Sequence, residues 1–169
     1  EGKGLDTFVE LVEDCARRAL DYRFQICTAS RIDGHLKRMS SAARAITKII
    51  NPPRLSDDDI SRAVSCSQAV FLLHKTATQS GMMPVAFMHG TPVIARNLCA
   101  FSQFVEHRKN SCLVPVDASP AVLVDEMEYV SHHQAMLSIE ARRTYEHVFC
   151  ERNWPKYYDW LVSLLTHDS

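Results

Sequence analysis

The sequence lacks an excess of charge of either sign, a long apolar run and a leader segment. Its 19 basic and 20 acidic side chains give a formal net charge of −1, so the chain does not offer the basic surface that binds nucleic acids. No apolar run approaches the roughly 20 residues that a membrane-spanning helix requires, and no signal peptide opens the chain. We therefore expect a cytoplasmic protein that does not bind nucleic acid.

Motifs for metals and disulfides are also missing. The eight histidines form neither a His-x-x-x-His nor a His-Glu-x-x-His motif, so no metal site is predicted. The cysteines are widely spaced without a Cys-x-x-Cys pair, which argues against a disulfide framework or a zinc site. We expect reduced thiols that are buried or half-buried, several of them within or beside apolar runs, at Cys15, Cys27, Cys66, Cys99, Cys112 and Cys150.

Three common functional classes lose support for the same reason. The chain has no Gly-x-Gly-x-x-Gly segment and no Walker lysine, which counts against dinucleotide-binding proteins and NTPases. It also has no Gly-x-Ser-x-Gly elbow, so a serine hydrolase of the α/β type is not indicated.

What the sequence does contain is a regular alternation of helical and strand patterns. Strands are predicted over residues 24–28, 45–50, 69–73, 92–95 and 111–114, and helices over residues 5–20, 34–45, 56–65, 84–89, 100–106, 121–130, 133–149 and 154–165. Because several strands are wholly apolar and alternate with helices, the pattern predicts an α/β domain with a parallel sheet flanked by helices. No repeat or linker divides the chain, so we expect one domain over residues 1–169.

The most specific pattern lies at residues 80–95, SGMMPVAFMHGTPVIA. It resembles the donor-site segment of retaining glycosyltransferases of the glycogen synthase and bacterial mannosyltransferase type. Other parts of the chain resemble the same family in the same order: KGLD at residues 3–6, LSDDDI at 55–60, NSCLV at 110–114 and ERNW at 151–154. The resemblance spans nearly the whole chain, and the ordered set is more specific than any one piece.

The resemblance implies the Rossmann-like C-terminal half of a two-domain enzyme with the GT-B fold. Such a domain binds a nucleoside-diphosphate sugar as its substrate and needs no metal cofactor. Its natural partner is an N-terminal domain that binds the acceptor, and that domain is absent from this sequence. We expect residues 1–169 alone to be inactive. Several members of the family act at membrane surfaces, so membrane association of the parent protein is a further hypothesis.

The resemblance also points to residues of the donor site. Backbone N–H groups that open a helix form a ready anion site, and a mobile lysine adds charge for the diphosphate. His74 closes an apolar strand, where α/β proteins place ligand contacts, and Leu55 corresponds to a position beside the base. The full set of predicted binding residues is Lys3, Gly4, Leu55, His74, Thr78, Gln79, Ser80, Gly81, Met82 and Met83.

The chain departs from the family at two acidic positions. The family carries two glutamates there, one for hydroxyls of the donor sugar and one for the ribose, but this chain has Ala77 and Val85. Thr76, Thr78, Gln79 and Ser80 are partial substitutes, since neutral hydrogen bonds are weaker than charge-assisted ones. Three hypotheses therefore remain open: a degenerate donor-binding domain, a non-catalytic relative that serves in protein interaction or as a scaffold, and a flavodoxin-like binding module that has similar turn residues by chance.

Overall fold

Five short parallel strands form two sheets in the computed structural model, which describes residues 4–77 and 80–153. The first sheet pairs β1 (Phe24–Cys27) with β2 (Thr47–Ile50). The second has the order β3-β4-β5, built from β3 (Val70–Leu72), β4 (Val93–Arg96) and β5 (Cys112–Val114). All pairings are parallel, so the carboxyl ends of neighbouring strands meet at one edge of each sheet.

Helices connect these strands, as parallel pairing requires. They are α1 (Leu5–Arg17), α2 (Asp33–Arg38), α3 (Ser41–Ala45), α4 (Asp57–Ser65), α5 (Met82–Met88), α6 (Cys99–Ser102) and α7 (Pro120–Thr144), followed by a π-helical turn at Tyr145–Phe149 and a 3-10 turn at Glu151–Asn153. The architecture is the predicted α/β arrangement of parallel strands flanked by helices.

Local sequence explains where α4 begins. The Ser56 hydroxyl accepts a hydrogen bond from the Asp59 backbone N–H, and the Asp59 side chain accepts one from the Ser56 backbone N–H. This reciprocal capping box satisfies two N–H groups that the helix itself cannot bond. The helix predicted from Ser56 onward is thus confirmed.

The core consists of two clusters of buried side chains. One cluster contains α1, parts of both sheets and α7, and the other contains α4, α5 and α6 with β3 and β4. The ring of Phe8 on α1 lies 5.7 Å from the ring of Phe24 in β1 and 5.3 Å from that of Phe71 in β3, edge-on to both. Helix α1 therefore packs against both sheets, and this packing positions the first turn of the helix relative to β3.

Two predictions of local structure need correction. The helix expected over residues 34–45 is broken at Met39 and Ser40, because Ser40 takes an extended conformation and its hydroxyl accepts a hydrogen bond from the Ala43 N–H to start α3. Cys66 and Cys99 are exposed, although buried or half-buried thiols were expected. The break expected between the helices over 121–130 and 133–149 is confirmed as a kink in α7, where His133 has non-helical angles. The helix predicted over residues 154–165 lies outside the described residues.

Candidate functional site

The first turn of α1 lies against the carboxyl end of β3, and Gly4 makes this contact. Gly4 has a φ of +75°, and a Cβ atom added to it would lie 1.8 Å from the carbonyl oxygen of Leu73. No other residue fits, since L-residues avoid this backbone conformation and a side chain here would overlap the strand. The predicted site residue Gly4 is thus placed at the sheet edge, where its lack of a side chain lets helix and strand meet.

The start of α1 presents unpaired backbone donors at this edge. The first backbone hydrogen bond of the helix runs from the Phe8 N–H to the Gly4 carbonyl, at 3.1 Å. The N–H groups of Leu5, Asp6 and Thr7 therefore have no acceptor within the helix. They form the positive end of the dipole of a helix of 13 residues, which favours a negatively charged neighbour.

Asp6 is the acid in this turn, and its charge is already compensated. The Arg38 guanidinium donates a hydrogen bond to Asp6 Oδ1, and His35 Nε2 lies 3.3 Å from the same oxygen. Arg38 lowers the pKa of Asp6, and the nearby charges of His35 and Lys75 act in the same direction. The carboxylate therefore belongs to an ion-pair cluster with α2 and does not neutralise the start of α1 alone.

Arg96 brings a second positive group to the same place from the end of β4. Its side chain is buried, with 5% exposure, and its Nη2 donates to the Thr7 hydroxyl at 2.9 Å. Its Nε has no hydrogen-bond partner among the described residues. Arg96 is not among the binding residues predicted from the sequence, although a charged residue directly after the apolar run 93–95 was the available signal.

His74 and Lys75 continue the chain beyond β3. His74 is half-buried, and its ring lies 5.7 Å from the ring of the fully buried Phe101. Lys75 is exposed and close enough to Asp6 to affect its pKa. His74 therefore lies at the carboxyl end of the strand, as predicted, and directly follows Leu73, which contacts Gly4.

The segment from Ser80 to Met83 opens α5, the crossover between β3 and β4. Gly81 is the N-cap, with ordinary helical angles and nothing within 4 Å of an added Cβ. Met82 is half-buried, whereas the Met83 side chain is 2% exposed and belongs to the core. What Met83 can offer a ligand is its backbone N–H, because its side chain packs inward.

The remaining predicted positions are less closely connected to this edge. Leu55 is half-buried just before the N-cap of α4, on the chain that leaves β2. Ala77 and Val85, the two positions where the family has glutamates, are partly buried against the second core cluster. Lys3, Thr78 and Gln79 lie outside the described residues, so their roles stay predictions.

A second cluster of charge lies away from this edge, at the start of α7. Arg108 donates to the buried Glu126 through both Nε, at 3.2 Å from Oε2, and Nη2, at 2.9 Å from Oε1. The Tyr129 hydroxyl donates to the Arg108 carbonyl, and the Arg108 guanidinium lies over the Tyr129 ring. Because both carboxylate oxygens of Glu126 are bonded to Arg108, this cluster ties the loop before β5 to α7.

This geometry defines the class of protein: an α/β domain whose parallel strands end beside helix starts that suit an anion. The family described as "Glycosyl transferases group 1" matches residues 1–133. The chain therefore belongs to the group 1 glycosyl transferases, as its sequence motifs predicted. No curated protein sequence matches it.

Solved structures agree on the fold. A TarM variant from S. aureus, in complex with fondaparinux, α-GlcNAc-glycerol and UDP, has a TM-score of 0.78 at 16% identity, over 94% of this chain and 33% of TarM. The C-terminal domain of LpcC from Francisella tularensis gives 0.71 at 16% identity, over 89% and 81%. Anabaena HepE in complex with UDP-glucose gives 0.73 at 14% identity, over 95% and 45%.

These likenesses establish the fold as that of a GT-B C-terminal domain. The chain spans about a third of TarM and under half of HepE, so it corresponds to one part of those enzymes. Within residues 4–77 and 80–153, no helix is long and apolar enough to cross a membrane.

Proposed function

We propose that this chain is the donor-binding domain of a retaining glycosyltransferase and holds a nucleoside-diphosphate sugar at the carboxyl ends of β3 and β4. The observation that carries the proposal is the contact of Gly4 with Leu73, which places the first turn of α1 at the carboxyl end of β3. UDP and UDP-glucose in the HepE structures, and UDP in TarM, support a nucleoside diphosphate as the ligand class.

The chemistry needs a counter-charge for the leaving group. When the glycosidic bond of the donor breaks, negative charge develops on the nucleoside diphosphate, and oriented N–H donors stabilise it. In this proposal the first turns of α1 and α5 and the side chain of Lys3 supply those donors. Transfer to an acceptor further requires a second domain, so glycosyl transfer is a property of the parent protein.

The two acidic positions decide how much of this activity remains. Ala77 and Val85 pack against core side chains and cannot accept hydrogen bonds from a sugar or a ribose. The proposed domain therefore holds its ligand mainly through the diphosphate, with weak selection of the sugar. This same observation favours the second candidate, a non-catalytic relative that serves in protein interaction or scaffolding.

Thermal unfolding with UDP, GDP, ADP and their sugar conjugates separates the two candidates. A ligand that binds only the native state raises the unfolding temperature in a concentration-dependent way. We expect one nucleoside diphosphate to do so, and Lys3→Ala to weaken the effect. Gly81→Val is a second probe, because its side chain would extend into open space and obstruct a ligand without disturbing the core.

The control for Gly81→Val is Gly34→Val, since Gly34 also has no atom within 4 Å of an added Cβ and lies in a different helix, α2. Stabilisation by a nucleotide that is lost in Gly81→Val and kept in Gly34→Val supports the donor site. Absence of any stabilisation at millimolar nucleotide in the folded protein supports the non-catalytic candidate instead.

A further inference from the structure

Arg96 is a buried cation without a compensating acid. Only 5% of its surface is exposed. Among residues 4–77 and 80–153, no carboxylate lies within 4.0 Å of its guanidinium. Arginine is rarely buried unless it is paired, because removing its charge from water is costly without a partner of opposite charge. The contribution of Arg96 to stability therefore does not explain its position.

The side chain of Arg96 points to the first turn of α1, which is the positive end of the helix dipole. Its Nη2 donates to the hydroxyl of Thr7, which is the third residue of α1 and carries one of the N–H groups that the helix leaves unpaired. Asp6, the nearest acid on that turn, is bonded to Arg38 and close to His35, and Lys75 adds a further positive charge nearby. The charged side chains around the first turn of α1 are thus positive in sum, which suits an anion.

The edge of the guanidinium that faces Thr7 is the edge that binds oxyanions. Nε and Nη2 form one side of the group and can bind two oxygens of a carboxylate or phosphate in parallel. Arg108 in the same protein uses this edge on the two oxygens of Glu126. On Arg96 the same edge makes one bond to a hydroxyl, and its Nε has no partner.

We infer that Arg96 is an anion-binding residue that, together with the first turn of α1, contacts the phosphate oxygens of the ligand. The phosphate takes the place of the Thr7 hydroxyl on Nη2 and receives a second bond from Nε. The inference rests on the proposed function for the identity of the ligand as a diphosphate. It assigns a residue from β4 that the motifs of the sequence did not indicate.

The test uses inorganic pyrophosphate and orthophosphate as probes, with the full-length protein and sodium chloride at matched ionic strength. We expect pyrophosphate to raise the unfolding temperature of the wild type. In Arg96→Met the apparent affinity for pyrophosphate should fall at least about tenfold, the loss of one charge-assisted interaction. Arg62→Met, which removes an exposed arginine from α4, should leave the affinity unchanged.

Two further variants test whether the loss of pyrophosphate binding in Arg96→Met reflects only a change in the structure of the protein. Arg96→Lys keeps the charge but cannot bind two oxygens in parallel, so its affinity should lie between those of the wild type and Arg96→Met. Thr7→Val removes the hydroxyl and keeps the shape, so it should retain pyrophosphate binding, since the hydroxyl is displaced by the ligand. If Arg96→Met does not fold, a Lys variant with wild-type affinity overturns the inference.

The outcomes distinguish this inference from the proposed function. Equal stabilisation of Arg96→Met and the wild type by pyrophosphate, or none in the wild type, overturns the role of Arg96. Binding of UDP, GDP or ADP with the same affinity in both proteins overturns it as well but leaves the donor site standing. Arg96-dependent binding of pyrophosphate without binding of any nucleoside diphosphate supports Arg96 and contradicts the donor site. Stronger binding of orthophosphate than pyrophosphate would contradict the diphosphate as ligand.

Discussion

Replacing Gly4 with alanine should separate α1 from the end of β3. The added Cβ would lie 1.8 Å from the Leu73 carbonyl oxygen, whereas real Cβ contacts essentially never fall below 3.0 Å. The first turn of the helix or the end of the strand must therefore move by about 1.2 Å, the difference between these distances. The atoms in the way belong to the Leu73 backbone and Cβ, so no flexible side chain can give way.

The cost has two parts. A residue other than glycine in the left-handed region costs roughly 1–2 kcal/mol, and forcing extra volume into a packed contact costs roughly 1–3 kcal/mol. We expect Gly4→Ala to lower the free energy of unfolding by about 2–5 kcal/mol, a large part of the roughly 5–15 kcal/mol typical of a domain. Because the same contact positions the start of α1, pyrophosphate and nucleotide binding should also weaken.

Urea unfolding at 25 °C, followed by circular dichroism, measures this loss. Gly34→Ala is the matched control, because nothing lies within 4 Å of its added Cβ and it lies inside α2. Alanine there should stabilise the helix by roughly 0.5–1 kcal/mol. If Gly4→Ala and the wild type unfold at the same urea concentration, the contact between Gly4 and Leu73 is wrong, and so is the placement of α1 at the sheet edge.

Three further predictions concern stability. Ser56→Ala should cost about 0.5–2 kcal/mol through loss of the capping box of α4, and an unchanged urea midpoint would refute the box. Burial raises the pKa of the thiols of Cys15 and Cys112, so above about pH 9 the unfolded chain loses protons that the native state keeps. The free energy of unfolding should then fall with rising pH, by up to about 1.4 kcal/mol per pH unit for each thiol, and less steeply in Cys112→Ala. Arg96→Met should leave the free energy of unfolding unchanged or raise it by about 1 kcal/mol or more, because it replaces an unpaired buried charge with an apolar side chain. A loss of several kcal/mol would instead show that Arg96 stabilises the fold.

The sequence predicted the order of elements and the family because those signals are local. Apolar runs such as residues 92–95 and the turn signals around them appear directly in the chain, and all five predicted strands are found. Helix boundaries were less predictable. The break at Ser40 depends on whether its hydroxyl caps α3 or faces solvent. The break near His133 was predicted, and it is found as non-helical angles at that residue within α7.

The candidate site was predictable only where it follows a motif. Gly4 and His74 were identified because their positions along the chain match family elements and a strand end. Arg96 was not, because its role depends on meeting Thr7, a residue 89 positions away along the chain. Gly81 shows the reverse case: the motif marked it, but its backbone angles are open to any residue and its surroundings leave room for a side chain.

The central claim is that a nucleoside diphosphate binds where α1 and α5 begin, and a ¹H–¹⁵N NMR titration tests it most directly. With the nucleotide that stabilises the protein best, we expect saturable shifts of the amides of Leu5, Asp6 and Thr7, of His74, and of Gly81, Met82 and Met83, together with the Nε–H of Arg96. Shifts confined to the groove further along α1, beside Glu10 and Glu13, or no saturable shift with any nucleoside diphosphate at millimolar concentration, would contradict the account.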